Sequence, residues 1–274
     1  MLIDAHHHLW TLQAPGHIWP TPAQPAIHRD YAMEDFATET AGAVTGSILV
    51  QAQPCDSHTD WLLEQAARHD SILGVVGWAQ LDAVDAPMRI ARLALHPKLV
   101  GLRPMLQDLP EDDWILRPEV EPGLAAMVEH GLRFDALITP RHLPVLAELA
   151  LRWPMLPMVI DHGGKPDLIR GTLEEWRAGM ARLAASPQLF CKLSGLRTEQ
   201  APESPPEQLE PVVETLLDLF PNRLMWGSDW PVLHMSGDRY ADWLNLSRRL
   251  TQGLDDTQSS ALFGATALRF YGLG

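Results

Sequence analysis

The sequence predicts an α/β protein that folds as a single (β/α)₈ barrel of the TIM type. Its 274 residues are close to the ~250 residues of a typical barrel of this kind. Eight short apolar runs alternate with longer amphipathic stretches. Polar residues suited to catalysis follow several of the runs, as expected where parallel strands end at one face. No linker or change of composition divides the chain, so residues 1–274 are predicted to form one domain.

The predicted strands are short and rich in β-branched and other apolar residues. Several are apolar on both faces, which is typical of parallel strands buried in a barrel wall. In chain order they are residues 2–6, 46–51, 72–78, 99–103, 133–138, 158–162, 189–194 and 223–228.

The amphipathic stretches between the strands predict helices. They are residues 61–69, 88–95, 123–130, 141–153, 173–185, 209–220, 240–250 and 257–271. Gly131 and Pro154 follow two of them and are typical of helix ends. A doubly wound open sheet is the main alternative, but it needs a glycine-rich turn after the first strand, where this chain has histidines. The proline-rich stretches 15–25 and 201–206 are predicted to be loops, either parts of a lid or simple surface loops.

The composition excludes several classes of protein. The formal net charge of −14 would repel phosphate backbones, which argues against nucleic-acid binding. The two cysteines, Cys55 and Cys191, lie far apart and predict neither a disulfide framework nor a thiolate zinc site. The first residues lack the pattern of a secretion signal, and no apolar run is long enough for a membrane span. We therefore expect a cytoplasmic protein without a membrane partner, and a homodimer is a further expectation.

His6 and His8 form the most informative pair in the chain. On a strand, alternate residues point the same way, so their side chains would lie together, about 6–7 Å apart along the backbone. Two such imidazoles are half of a metal site or a pair of donors for a polar substrate. His7 points the other way and is expected to have a structural role in packing. A purification tag would be the trivial explanation of the three consecutive histidines. His162, taken alone, could be an ordinary core residue.

Asp229 is the candidate catalytic base. A carboxylate is ionised near neutral pH and can accept a proton from an attacking water molecule. The alternative is that Asp229 caps the loop before Pro231. Arg103, at the end of the fourth strand, could bind a carbonyl or carboxylate oxygen in bidentate fashion, or form a structural ion pair.

Further polar and aromatic residues are predicted at the same rim. Each of them could instead have a structural role, such as a core position or a surface ion pair. The candidates for substrate binding are Gln51, Trp78, Arg141, Arg197 and Trp10, and Asp135, Lys165, Ser194, Lys192 and Trp230 also lie near strand ends.

Six segments together resemble the amidohydrolase superfamily, and more narrowly its sugar-lactonase branch. They are Asp4-Ala-His-His-His-Leu-Trp10, Gly101-Leu-Arg103 with Leu106-Gln-Asp108, Trp114-Ile-Leu-Arg-Pro-Glu119, Asp161-His-Gly-Gly-Lys-Pro166, Cys191-Lys-Leu-Ser-Gly195 and Trp226-Gly-Ser-Asp-Trp-Pro231. The segments extend over nearly the whole chain. That branch also includes 2-pyrone-4,6-dicarboxylate lactonase.

The resemblance implies a distorted (β/α)₈ barrel that hydrolyses a lactone. His6, His8, His162 and Asp229 would be the catalytic set, with Asp229 activating water and Arg103 near the substrate. Many amidohydrolases hold two metals with a bridging lysine at strand four, where this chain has Arg103. A single divalent ion, zinc first among them, on the same three histidines and Asp229 is therefore expected, and metal-independent activity stays open.

The sequence indicates the class of substrate less directly than it indicates the reaction. We favour a sugar aldonolactone of the L-fucono-, L-rhamnono- or galactono-lactone type. A dicarboxylate lactone would need several arginines in the pocket, for which Arg103, Arg141 and Arg197 are the candidates. The sequence is also compatible with a single-zinc decarboxylase of the same superfamily and with a non-catalytic binding protein.

Overall fold

The computed structural model describes residues 1–171 and 173–273, and its centre is a sheet of eight parallel strands. Neighbouring strands pair in chain order, so each strand lies beside the next one along the sequence. The strands are β1 Ile3–His7, β2 Gly46–Val50, β3 Ile72–Gly77, β4 Leu99–Leu102, β5 Arg133–Ala136, β6 Met158–Ile160, β7 Leu189–Leu193 and β8 Leu224–Trp226.

The first and last strands meet and close the barrel. The N–H of Asp229 donates to the carbonyl of His6 at 2.8 Å, and the N–H of His8 donates to the carbonyl of Trp230 at 2.7 Å. The register shifts within the β1–β2, β2–β3 and β3–β4 pairs. The predicted (β/α)₈ architecture is therefore confirmed, with an irregular first half.

Helices follow the strands and cover the barrel. They are α1 Met33–Thr40, α2 Asp56–Arg68, α3 Ala86–Ala94, α4 Glu121–Glu129, α5 Leu143–Arg152, α6 Leu173–Ala184, α7 Glu210–Leu219, α8 Tyr240–Leu250, α9 Asp256–Ser260 and α10 Thr266–Tyr271. Within the described residues, none of these helices has both the length and the apolar character needed to cross a bilayer.

Two helical regions differ from the sequence prediction. No helix was expected between β1 and β2, yet α1 is present, with Met33 and Phe36 buried. It is only eight residues long, and acidic residues and threonines surround its buried positions, which weakens the periodic signal. The helix predicted over 257–271 is interrupted by a π-helical turn, Ala261–Ala265, between α9 and α10.

Two apolar clusters stabilise the fold. The larger lies mainly between strands and helices and includes Leu49, Leu102 and Leu193. The smaller joins strand residues such as Val50 and Val159 to the last helix, α10. The C-terminal helix thus packs against the barrel strands themselves, and this contact positions residues beneath the functional site.

Candidate active site

His6 and His8 converge at the end of β1. Their Nε2 atoms lie 3.2 Å apart, and both side chains are buried. His8 Nδ1 lies 2.8 Å from the carbonyl oxygen of Val50. A carbonyl can only accept, so Nδ1 carries the proton and Nε2 presents a lone pair to the site. The strand alternation predicted from the sequence therefore places both rings together.

Asp229 lies directly above this pair. Its Oδ1 atom is 3.3 Å from His8 Nε2, 3.7 Å from His6 Nε2 and 3.9 Å from His162 Nε2. The residue has φ of +57°, and its N–H is bonded to the His6 carbonyl that closes the barrel. Burial raises the pKa of the Asp229 carboxyl above its ordinary value, although His162 opposes the shift.

His162 completes the group of imidazoles. It lies in a tight turn, Asp161–Gly164, with φ of +55°. Its Nδ1 lies 2.9 Å from Ser194 Oγ, and its ring centre is 4.6 Å from that of His6. Gly195 leaves room for the ring, since a Cβ there would be 2.4 Å from His162 Nδ1. Two segments distant in sequence, one at His6 and one at Ser194–Gly195, therefore fix this side chain.

A buried ionic network supports His6 from below. Lys192 Nζ lies 2.6 Å from Asp135 Oδ2, 3.0 Å from Asp161 Oδ1 and 3.1 Å from His6 Nδ1. Tyr271 of α10 donates to Asp135 Oδ2 at 2.7 Å. Burial alone would raise the pKa of Asp161, but the charge of Lys192 holds it well below its usual range. The network thus keeps a carboxylate, not a carboxylic acid, beside His6.

Arg103 joins the network from β4. Its guanidinium donates to Asp161 Oδ2 at 3.3 Å and also bonds the carbonyl of Gln51. Gln51 in turn donates its Nε2 to the Arg103 carbonyl at 2.9 Å. Among the described residues, Arg103 Nε has no hydrogen-bond partner. Arg103 also lines the cavity, so its fixed positive charge lies beside any ligand bound there.

A cavity of about 650 Å³ opens above these side chains. The loops after the strands form its walls, as expected for the carboxyl end of a barrel. His8, Arg103, His162 and Asp229 form part of its floor, and the wall includes Ile18, Trp19, Pro54, Trp78, Gln80, Asp82, Met105, Gln107, Asp108, Leu109, Trp114, Leu137, Lys165, Thr198 and Val232.

Comparison with known proteins identifies the family. The family model described as amidohydrolase matches residues 3–273. The chain belongs to the amidohydrolase family. A relative from Burkholderia ambifaria named L-fucono-1,5-lactonase is 43% identical over 274 residues, which cover 98% of this amidohydrolase and 94% of the relative.

Two further comparisons come from Burkholderia multivorans. A relative also named L-fucono-1,5-lactonase is 34% identical, and the match covers 99% of this amidohydrolase and 96% of the relative. A crystal structure of an amidohydrolase with bound zinc superposes with a TM-score of 0.94 at 34% identity, over 100% of both chains. The resemblance inferred from the sequence motifs is confirmed at the level of the family.

The donor set of this amidohydrolase fits a divalent metal ion. His6, His8 and Asp229 bring one ligand atom each to within 4.8 Å of one another, and so do His6, Asp161 and His162. A tetrahedral zinc site with Zn–N bonds near 2.05 Å needs nitrogen atoms about 3.3 Å apart. The two Nε2 atoms are 3.2 Å apart, and that of His8 has its lone pair free.

Several predicted substrate-binding residues of this amidohydrolase lie outside the cavity lining, contrary to expectation. Trp10 is buried behind Trp19 and donates its Nε1 to the Arg29 carbonyl at 2.8 Å. Arg141 is exposed and pairs with Asp112 on the loop after β4. Arg141 thus has its ionic partner on a neighbouring loop, and sequence spacing cannot predict such contacts between loops.

Arg197 and Gln51 also lie outside the cavity lining. Arg197 is buried in an ion pair with Asp238, at 2.7 Å between Nε and Oδ2. Gln51 lies behind Arg103, so it can act on a ligand only through that residue. Trp78, by contrast, lines the cavity as expected.

The sequence analysis missed the outer wall of the cavity. Trp19, Asp82, Met105 and Trp114 lie in loops whose conformation has no periodic signature. Tyr271 was also missed as part of the network, because it approaches Asp135 from the end of the chain. An aromatic residue in a long loop after a strand was the available signal for Trp19 and Trp114.

Proposed function

We propose that this protein hydrolyses a neutral sugar lactone with a six-membered ring, of the L-fucono-1,5-lactone type. The observation that carries the proposal is the carboxylate of Asp229, buried beside three imidazoles at the floor of a cavity. The full-length similarity to two proteins named L-fucono-1,5-lactonase supports the substrate class. The reaction opens the ring by adding water to the carbonyl carbon.

Asp229 is the general base in this proposal. It takes a proton from the attacking water as the oxygen bonds to the lactone carbonyl carbon. The raised pKa of its buried carboxyl makes it a stronger proton acceptor than an exposed aspartate. When the ring C–O bond breaks, the same carboxyl returns its proton to the departing alkoxide. The sum is one water consumed and one hydroxy acid formed.

His162 and Arg103 stabilise the charge that develops on the carbonyl oxygen. The Ser194 hydroxyl can donate to His162 Nδ1, which leaves Nε2–H as a donor towards the cavity. Arg103 lines the cavity and offers a fixed positive charge. A divalent ion held by His6, His8 and Asp229 would, when bound, polarise the carbonyl or lower the pKa of water.

The charges around the cavity favour a neutral substrate over a dicarboxylate. Among the described residues, the charged ones that line the cavity are two cations, Arg103 and Lys165, and three carboxylates, Asp82, Asp108 and Asp229. Lys165 lies 3.2 Å from Glu199, and Arg103 lies 3.3 Å from Asp161, so both cations already have partners. Each carboxylate of a dianionic lactone would need a free cation in such a site.

The test uses one protein preparation to measure acid release from a sugar lactone and carbon dioxide release from aromatic acids. We expect acid release from L-fucono-1,5-lactone, followed with a pH indicator, and none of the decarboxylation that a single-zinc lyase would give with aromatic acids. Asp229→Asn should lower kcat by roughly 10²–10⁴-fold, the usual contribution of a general base. Asp60→Asn, an exposed carboxylate on α2, is the control and should keep full activity. Lactone turnover by Asp229→Asn at the wild-type rate would contradict the proposal.

The metal is tested separately. Protein stripped with a chelator and dialysed against zinc should bind about one ion per chain, the number that a single site of His6, His8 and Asp229 holds. His8→Ala should bind none while keeping its fold, because it removes a lone pair but leaves the ionic network intact. Full activity in the stripped enzyme would instead make the reaction metal-independent. A cytoplasmic location and a homodimer stay predictions from the sequence.

A further inference from the structure

Asp82 and Trp114 form a pair in the outer wall of the cavity. Trp114 donates its Nε1–H to Asp82 Oδ2 at 3.2 Å. Asp82 lies in the loop after β3, which ends at Gly77, and Trp114 lies well beyond the end of β4 at Leu102. Both residues line the cavity, yet neither comes from a strand end like the imidazoles. The pair therefore belongs to the loop wall of the cavity and not to the group of residues that follow strand ends.

One oxygen of this carboxylate has no hydrogen-bond partner among the residues that the structure describes. Asp82 Oδ1 is buried and makes no hydrogen bond to any described residue. A buried acceptor without a donor is unfavourable, so its persistence calls for an explanation. A hydroxyl group is the donor that suits it, since a second anion would be repelled and both cations of the described cavity lining already have carboxylate partners.

The pair is held in place from outside the cavity. Arg141 donates to the carbonyls of Gln107 and Leu109, at 3.2 Å and 2.8 Å, and pairs with Asp112. These contacts fix the loop that leads to Trp114. A carboxylate oriented by an indole on a braced loop keeps its geometry before a ligand arrives, which is what discrimination between similar ligands requires.

We propose that Asp82, oriented by Trp114, accepts a hydrogen bond from the C3 or C4 hydroxyl of the sugar lactone and is a specificity-determining residue. This inference rests on the proposed function. The two hydroxyls lie on the side of a 1,5-lactone ring opposite the carbonyl and ring oxygen. Trp78 and Trp114 also line the cavity, and an indole is suited to contact the C–H bonds of such a ring.

The test compares L-fucono-1,5-lactone with its 2-, 3- and 4-deoxy analogues. For Asp82→Ala we expect kcat/KM to fall roughly 10- to 100-fold with lactones that carry the recognised hydroxyl, the loss typical of one hydrogen bond to a charged group. With the analogue that lacks this hydroxyl, wild type and variant should agree within a factor of about two, because the bond is absent from both. Asp82→Asn keeps an acceptor oxygen and should recover part of the loss.

Trp114→Phe and Asp108→Asn are the comparison variants. Trp114→Phe keeps the ring but frees the carboxylate, so it should show a smaller loss confined to the same hydroxyl. Asp108→Asn removes another cavity carboxylate and reports the effect of charge alone. If Asp82→Ala lowers kcat/KM equally for every analogue, or leaves it unchanged for all, the inference is wrong although the lactonase proposal stands. If the wild type opens none of the lactones, the proposed function fails and the inference fails with it.

Discussion

Replacement of Gly195 by alanine tests whether the position of His162 determines activity. Gly195 has φ of +59°, and a Cβ added there would be 2.4 Å from His162 Nδ1 and 2.6 Å from its Cγ. Ordinary van der Waals contact begins at 3.4 Å, so the imidazole would have to move by about 1.0 Å (3.4 − 2.4). That shift would also break the 2.9 Å hydrogen bond to Ser194.

The expected effects on activity and stability can be separated. A displacement of about 1 Å in a catalytic arrangement can lower the rate by roughly 10²-fold, so we expect kcat/KM for the lactone to fall by that factor. Alanine at positive φ costs a further 1–2 kcal/mol, roughly, of folding free energy. The stability loss alone would leave most molecules folded at 25 °C, since small domains are stable by about 5–15 kcal/mol.

Gly131→Ala provides the matched control. Gly131 has φ of +65°, and no atom of the described residues lies within 4 Å of a Cβ added there. It precedes β5 at the opposite end of the barrel. The Gly131→Ala variant should have a lower unfolding free energy in urea, because alanine at positive φ is unfavourable, but it should keep wild-type kcat/KM. A folded Gly195→Ala protein with undiminished kcat/KM would refute the reasoning, because His162 would then tolerate a displacement that the mechanism forbids.

Two further predictions concern buried charge. Burial lowers the pKa of His58 to about 3 from 6.5, and its Nε2 accepts from the Ala52 N–H at 3.1 Å. Below pH 6.5 the unfolded chain binds a proton at His58 that the native protein does not bind, so the unfolding free energy falls. Between pH 7 and pH 5, the unfolding free energy of His58→Gln, measured in urea, should therefore fall by about 2 kcal/mol less than that of the wild type. Equal falls in the two proteins would contradict this prediction. Lys192→Met removes the buried cation that Asp135 and Asp161 share. The unfolding free energy should therefore drop by roughly 3–5 kcal/mol at pH 7, and a drop below ~1 kcal/mol would show that Lys192 does not stabilise the fold through these pairs.

Residues next to strand ends were the part of the site that the sequence could predict. His6, His8, His162 and Asp229 each follow or end a short apolar run, and parallel strands in a barrel bring such positions to one face. Strand alternation also assigned His7 to the opposite side, where it stacks on Phe36 with ring centres 4.2 Å apart. These inferences succeed because they depend on the backbone repeat and not on loop conformation.

The positions of side chains on long loops could not be predicted from the backbone repeat. Arg141 and Arg197 were expected to contact substrate, but carboxylates on neighbouring loops, Asp112 and Asp238, pair with them instead. Which loop folds against which is determined by contacts between segments distant in sequence, and periodicity carries no information about them. The same limit explains why Asp82 and Trp114 were not predicted to line the cavity.

The two layers of the site therefore have different physical origins. The floor is tied to barrel closure itself, because the Asp229 N–H that bonds the His6 carbonyl also sets the carboxylate above His6 and His8. A change there disturbs the fold and the chemistry together. The wall depends on loops braced by surface contacts such as that of Arg141, so its residues can vary without altering the floor. Substitutions at Asp82 should accordingly change which lactone is preferred, whereas substitutions at Asp229 should abolish turnover of all of them.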